Sequence, residues 1–261
     1  MKCRLIILTI LSILYCKVYG QAKLCIVGTI HNPTAKINSD SIFEVIKKFS
    51  PTIILYEADT ILDIRNDLKG IDGGNTNEFI AINKYLKIKS STKILPFDWT
   101  EKQKFREQNN YWTKIDSMNK AINTHFDRGN PTKLSLVTIE SLMDFSELNN
   151  LLLKENLFML NQPFVRRLTE LKTKWEHQKL IEMANADDTL RNFIQNIKLG
   201  QTYWELRNKN MAINILRILK ESPKSRILVL TGNNHKYFLY NEIAHQQKQF
   251  GFVLTEFWEN K

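Results

Sequence analysis

The chain is poor in cysteine. It has three in 261 residues; Cys3 and Cys16 fall in an N-terminal leader, so only Cys25 belongs to the body of the protein. One thiol cannot close an internal disulfide, so a cross-linked framework is excluded and a hydrophobic core must hold the fold. There is no Cys-x-x-Cys pair, no Gly-rich phosphate loop and no Gly-x-Ser-x-Gly elbow. Dithiol redox, P-loop and serine-hydrolase chemistry therefore lack sequence support. No short-period repeat or low-complexity tract appears. Of the formal charge of +10, the leader's Lys2, Arg4 and Lys17 carry three, leaving +7 for the rest. The basic residues are dispersed, with no arginine-rich run and no nucleic-acid-binding module. The expected partners are thus a peptide or small-molecule substrate, without nucleic acid, and with loose affinity for an acidic cell envelope.

The leader has a positive start, an apolar stretch from Leu5 to Tyr15, and Val18-Tyr19-Gly20 at its end. That is the pattern of a secretory signal peptide over residues 1–20 cut after Gly20. The apolar stretch is short of the roughly 20 residues a spanning helix needs. Leu14 and Tyr15 before Cys16 are poor for lipid attachment, so simple export to a secreted or periplasmic location ranks above a lipoprotein. Residues 21–261 are then expected to form one domain.

What the chain does have is one pattern twice. Leu24 to Val27 is an apolar run that meets Gly28-Thr29-Ile30-His31, and Ile227 to Leu230 leads through Thr231 to Gly232-Asn233-Asn234-His235. Each run reads as a buried strand, and each glycine as the place where the backbone turns tightly at the strand's end. Both histidines are then expected just past a strand's carboxyl end, where open α/β sheets bind ligands.

The rest of the chain fits such a sheet. A helix is expected over Ser41 to Phe49, with Ile42, Val45, Ile46 and Phe49 on one face, then a strand from Thr52 to Tyr56 ending at Glu57. Helical segments flank a Gly-rich turn at 70–75. Ile94 to Phe97 forms a short strand leading to Asp98, and Pro96 favours an edge position for it. Roughly residues 100–200 read as a helical insertion or cap. A helix from Thr202 to Glu221, the second glycine strand, a helix from Tyr237 to Gln247 and a last strand from Phe252 to Phe257 complete the chain. The fold class is therefore α/β, a mainly parallel sheet flanked by helices with a helical insertion between its N-terminal and C-terminal strand units.

The strand ends would deliver His31, Glu57, Asp98 and His235. Two imidazoles and one or two carboxylates suffice for a divalent transition metal, which would make hydroxide available near neutral pH, with a carboxylate to take the proton. Asp98 has a competing reading as the cap of the next helix. His125, His177 and His245 lie in polar helical contexts and read as surface residues.

Gly28-Thr29-Ile30-His31, Glu57 closing the next strand, Arg207-Asn208-x-x-Met211-Ala212 and Gly232-x-x-His235 occur in the order seen in the TraB/GumN family, which this chain resembles. That family includes the TIKI proteins and belongs to a wider group with erythromycin esterase and ChaN. The resemblance implies an exported metal-dependent hydrolase, peptidase-like in the TIKI branch, with His31, Glu57 and His235 at the metal. It makes Arg207 a residue that steadies a substrate carbonyl or oxyanion, and it brings Asn208 beside the pocket. Leu206 stands where the family carries a polar residue. Two other readings stay open: a non-catalytic haem- or metal-binding protein of ChaN type, and a metal-independent esterase-like hydrolase in which histidine and glutamate activate water directly.

Overall fold

A computed structural model describes residues 21–61, 76–129 and 131–259. The leader expected over 1–20 and the Gly-rich turn expected at 70–75 lie outside the described residues. Five strands form one sheet: β1 (Ala22–Thr29), β2 (Ile53–Tyr56), β3 (Lys93–Pro96), β4 (Arg226–Gly232) and β5 (Phe252–Leu254). The order is β3-β2-β4-β1-β5, and every pair is parallel. The two glycine strands, β1 and β4, are direct neighbours, with Gly28 level with Thr231 and Thr29 with Gly232. β3, with its proline, is an edge strand as expected.

Alternation along the strands divides two cores between the sheet's faces. Cys25, Val27, Ile54, Leu228 and Leu230 point to one side. There they meet α1 (Ser39–Phe49) through Ile42, Ile46 and Phe49, and α2 (Asn77–Ile88) through Ala81 and Ile82. Leu24, Ile26, Leu55, Ile227 and Val229 point to the other. They meet α8 (Ile194–Glu221) through Met211, Ile215 and Leu219, and α9 (Asn233–Ala244) through Leu239 and Ile243. Each of these fully buried aliphatic side chains contributes about 1.5–3 kcal/mol relative to exposure, so the strands need no polar face.

Between β3 and α8 lie α3 (Lys102–Gln108), α4 (Tyr111–Arg128), α5 (Lys133–Leu153), α6 (Leu157–Leu160) and α7 (Pro163–Ala186). Met118, Met183, Leu190 and Ile197 make a separate small core there. α8 begins eight residues earlier than the sequence suggests. It runs through Gly200, where an added Cβ would stand 3.3 Å from Ile115 of α4, so this glycine permits close helix packing. One 28-residue helix thus starts in the helical layer at Ile197 and ends on the sheet at Leu219. A last helix, α10 (Gln247–Phe250), leads to β5.

Three local expectations need correction. Neither motif glycine turns the chain through a left-handed conformation; among the described glycines only Gly251 has positive φ. Gly28 lacks a side chain because an added Cβ would meet Asn233 Oδ1 at 2.7 Å. α9 starts at Asn233, four residues before the expected Tyr237, so β4 passes directly into a helix and His235 sits in its first turn. His125 is buried, not superficial: Nε2 lies 2.7 Å from Asp187 Oδ2, and Nδ1 is 3.0 Å from the Thr189 hydroxyl. His177 is half-buried, and of the three histidines expected at the surface His245 alone is exposed.

Candidate active site

The helix after β1 packs on one face of the sheet and the helix after β4 on the other. Adjacent parallel strands whose connections part in this way open a crevice at their carboxyl ends. His31 and His235 flank it, with Glu57 and Asp98 leaving β2 and β3 alongside. Three atoms surround the point where a Cβ on Gly232 would sit: His235 Cδ2 at 3.6 Å, His31 Nε2 at 3.7 Å and Glu57 Oε2 at 3.8 Å. All three lie at ordinary van der Waals distance from that point, so the three side chains converge on the end of β4. The cavity above measures about 460 Å³; His31, Glu57, Arg207 and His235 line it, with Trp204 of α8 and Leu153 of α5.

Arg207 is the electrostatic centre. Its Nε and Nη2 donate to the two oxygens of Asp98 at 2.9 and 2.8 Å, and Nη2 also donates to Glu57 Oε1 at 2.7 Å. Glu57 Oε2 accepts from the Thr231 hydroxyl and the Gly232 N–H, both at 2.8 Å. Asp98 further accepts from Lys102 Nζ at 2.7 Å and its neighbour's N–H on Trp99. It does not cap α3, whose N-cap residue is Glu101. Burial pushes the Asp98 pKa up, but Arg207 and Lys102 outweigh it and hold the group down at about 2. Burial also opposes charge on Arg207, and the carboxylates reverse this, fixing it as a cation. α8 carries Arg207 to this point because its two ends are anchored in different cores.

His235 is buried and stacked on Trp204, with centroids 4.5 Å apart and planes 16° from parallel. The Asn208 amide nitrogen donates to the Trp204 carbonyl at 2.8 Å, which leaves its oxygen for His235 Nδ1, also at 2.8 Å. That oxygen can only accept, so the proton of neutral His235 sits on Nδ1. Its Nε2 then presents a lone pair to Arg207 Nη1 at 3.4 Å. Burial depresses its pKa to about 4, with Arg207 adding to the shift against the opposing pull of Glu57.

His31 is in the opposite condition. Its side chain is 54 % exposed, and Nδ1 lies 3.2 Å from Glu78 Oε1. Glu78 is a residue that the sequence did not suggest. It lies in the first turn of α2, is 1 % exposed, and approaches the Thr29 hydroxyl at 2.5 Å. The start of α2 is tied to the β1 exit by the Asn77 side chain to the Ile30 carbonyl at 2.9 Å and by the Asn77 N–H to the His31 carbonyl at 3.0 Å. The hydrogen bond to Glu78 raises the His31 pKa above its ordinary value, outweighing the effect of burial. Burial opposes the charge on Glu78, yet the bonds from His31 and Thr29 leave it ionised more readily than usual. Glu78 Oε2 has no hydrogen-bond partner among the described residues.

The structure thus brings His31, Glu57, Asp98, Arg207, Asn208 and His235 together, and adds Glu78, Trp204 and Lys102. It does not arrange them for a metal. Glu57 Oε1 and His235 Nε2 lie 3.6 Å apart with the Arg207 guanidinium against both, Glu57 has both oxygens committed, and Nε2 of His235 faces that fixed positive charge. Among the described residues no group of three or more His, Cys, Asp or Glu side chains is disposed to hold a metal ion. The donor set therefore does not fit the expected divalent cation. What it offers is a base, His31 Nε2, held by a carboxylate at its other nitrogen, beside a buried cation.

No family model matches this chain, and no curated protein matches it. Among solved structures it is similar to a mutant of erythromycin esterase EreC in its open conformation, with 11 % identity and a TM-score of 0.31 over 83 % of this chain and 61 % of that one. The chain thus spans about three fifths of that protein's length.

Proposed function

We propose that this protein is a hydrolase that activates water with His31 and needs no metal. The observation that carries the reading is the Glu78–His31 pair, with the free ring nitrogen turned to the point shared by Glu57 and His235. Neutral His31 holds its proton on Nδ1 against Glu78, so Nε2 takes a proton from water as that water attacks a carbonyl carbon. Glu78 stabilises the imidazolium that results. The developing oxyanion is met by the Arg207 Nη1 proton not directed at His235. His235, neutral and pinned by Asn208, orients the guanidinium and takes no proton itself. The imidazolium then returns its proton to the leaving group.

The reading includes export with cleavage near Gly20 and an ester, lactone or peptide substrate. It also includes membership in the wider group of TraB/GumN and erythromycin-esterase-like proteins, supported by the order of the motifs around His31, Glu57, Arg207 and His235. A panel of nitrophenyl esters, lactones and short peptides tests it. Turnover is expected to survive exhaustive chelation and to fall about 10³-fold in His31→Asn. Activity lost on chelation and restored by zinc returns the metal reading, and tight haem binding without turnover returns the ChaN-type reading.

A further inference from the structure

α5 shows an unusual distribution of side chains. Its only fully buried residues are the hydroxyl-bearing Ser135 and Thr138, while Leu136, Val137, Met143 and Leu151 are 43–66 % exposed. Glu140, Asp144 and Glu147 lie among these exposed apolar groups at spacings of three and four, on the same face. α7 carries a matching stripe of opposite charge. Phe164, Arg167, Leu171 and Lys174 are all exposed and also recur at three and four. The side chains of Arg167, Glu140, Asp144 and Glu147 make no hydrogen bond or ion pair with any described residue. Lys174 pairs only with Glu170 on its own helix surface, an exposed contact of little energetic worth.

The two stripes emerge on one side of the helix pair. Leu152 of α5 shares a groove with Leu168 of α7, and Phe145 stacks edge-on to Trp175 at 5.5 Å. Rising numbers on one helix meet falling numbers on the other, so the helices are antiparallel. On each, the exposed stripe lies roughly a quarter-turn from the mutual contact in the same rotational sense. Antiparallel pairing turns those equal rotations to the same face.

We infer that this face is the interface of a two-fold homodimer, in which α5 of each copy seats on α7 of the other as an antiparallel four-helix bundle. The partner is a second copy because the two stripes complement each other, acid against base and apolar against apolar, on one self-complementary surface. With the symmetry axis along the helices, Asp144 falls level with Lys174 of the second copy, and Glu147 between the levels of Arg167 and Lys174. The apolar residues between these charges supply the desolvated contact.

Sedimentation of the purified protein tests this independently of any activity. The protein is expected to be a dimer at micromolar concentration. Met143→Glu, on an exposed side chain, should leave a folded monomer. Arg167→Glu with Lys174→Glu places acid against acid and should weaken self-association by about a hundredfold. Asp144→Lys with Glu147→Lys places base against base and should do the same. An equimolar mixture of these two double variants should dimerise again, because each then meets its complement. A wild-type monomer at 100 µM overturns the inference, whether or not it binds anionic vesicles. So do charge-reversed variants that associate like the wild type, or a mixture that stays monomeric.

Discussion

The exits of β1 and β4 carry the same four-residue pattern side by side, and they deliver histidines in opposite states. His31 stands half in solvent, bonded to a buried carboxylate that raises its pKa. His235 is sealed under Trp204, next to a fixed guanidinium, with its pKa lowered to about 4. The difference lies in how the chain leaves each strand. β1 opens into a loop that leaves His31 in the crevice, whereas β4 runs directly into α9, whose first turn folds His235 back against α8. Two titratable groups with pKa values pushed apart can divide the labour of a site: in the mechanism we propose, one moves a proton and the other is a neutral strut.

Breaking the exposed member should have the largest effect on rate. His31→Asn is expected to lower kcat about 10³-fold, the scale of a lost general base, with little change in melting temperature. Unequal losses of this kind distinguish His31 from a merely structural residue. Arg207→Met should act first on the fold, because buried Asp98 and Glu57 would lose their shared guanidinium, Asp98 keeping Lys102 and Glu57 keeping the Thr231 hydroxyl and Gly232 N–H, at a cost of about 3 kcal/mol. Adding Asp98→Asn to that variant should return part of the lost stability in urea titrations.

Sharpening the comparison requires pH. His31 must be neutral to accept a proton, so activity should rise with pH through its raised pKa. Glu78→Gln should move that rising limb to lower pH while reducing the plateau about tenfold. An unmoved limb would separate Glu78 from the base. For His235 the sign is reversed in stability. The folded state binds its proton more weakly than the unfolded chain does. Its contribution is full above the ordinary value of 6.5 and falls as pH drops toward 4. Denaturation profiles should therefore decline across that window by on the order of 3 kcal/mol, ahead of the further loss as Asp98 titrates toward 2. The smallest effect is expected at Gly28→Ala, about 1–2 kcal/mol, from the Asn233 side chain that must give way.

Much of this arrangement is legible in the chain itself. Apolar runs of four residues mark β1, β2 and β4, and parallel pairing is the natural outcome of strands alternating with helices. Residues that end buried strands, Glu57 and His235 among them, stand out because a polar group there needs a partner. Glu78 carries no such mark. An acid in the first turn of a helix is an ordinary partner for the helix dipole, and only the docking of that turn on the β1 exit gives it another role. Asp98 competes with a reading as a local cap because chain spacing cannot show a guanidinium arriving from residue 207. The metal expectation meets the same obstacle: His31, Glu57 and His235 do converge, but the cation among them is an arginine.

That arginine rides on α8, a single helix about 42 Å long by its 28 residues. Its early turns belong to the helical layer, and its last turns are clamped to the sheet. Such a rod transmits tilt as a lever does. The layer over the crevice cannot swing without dragging Arg207 off Asp98 and Glu57, so opening and closing by α8 are coupled to dismantling the charge network. In the hydrolase we propose, admission of substrate then falls to side-chain motion, chiefly at Trp204 and the exposed His31, with the backbone scaffold held still.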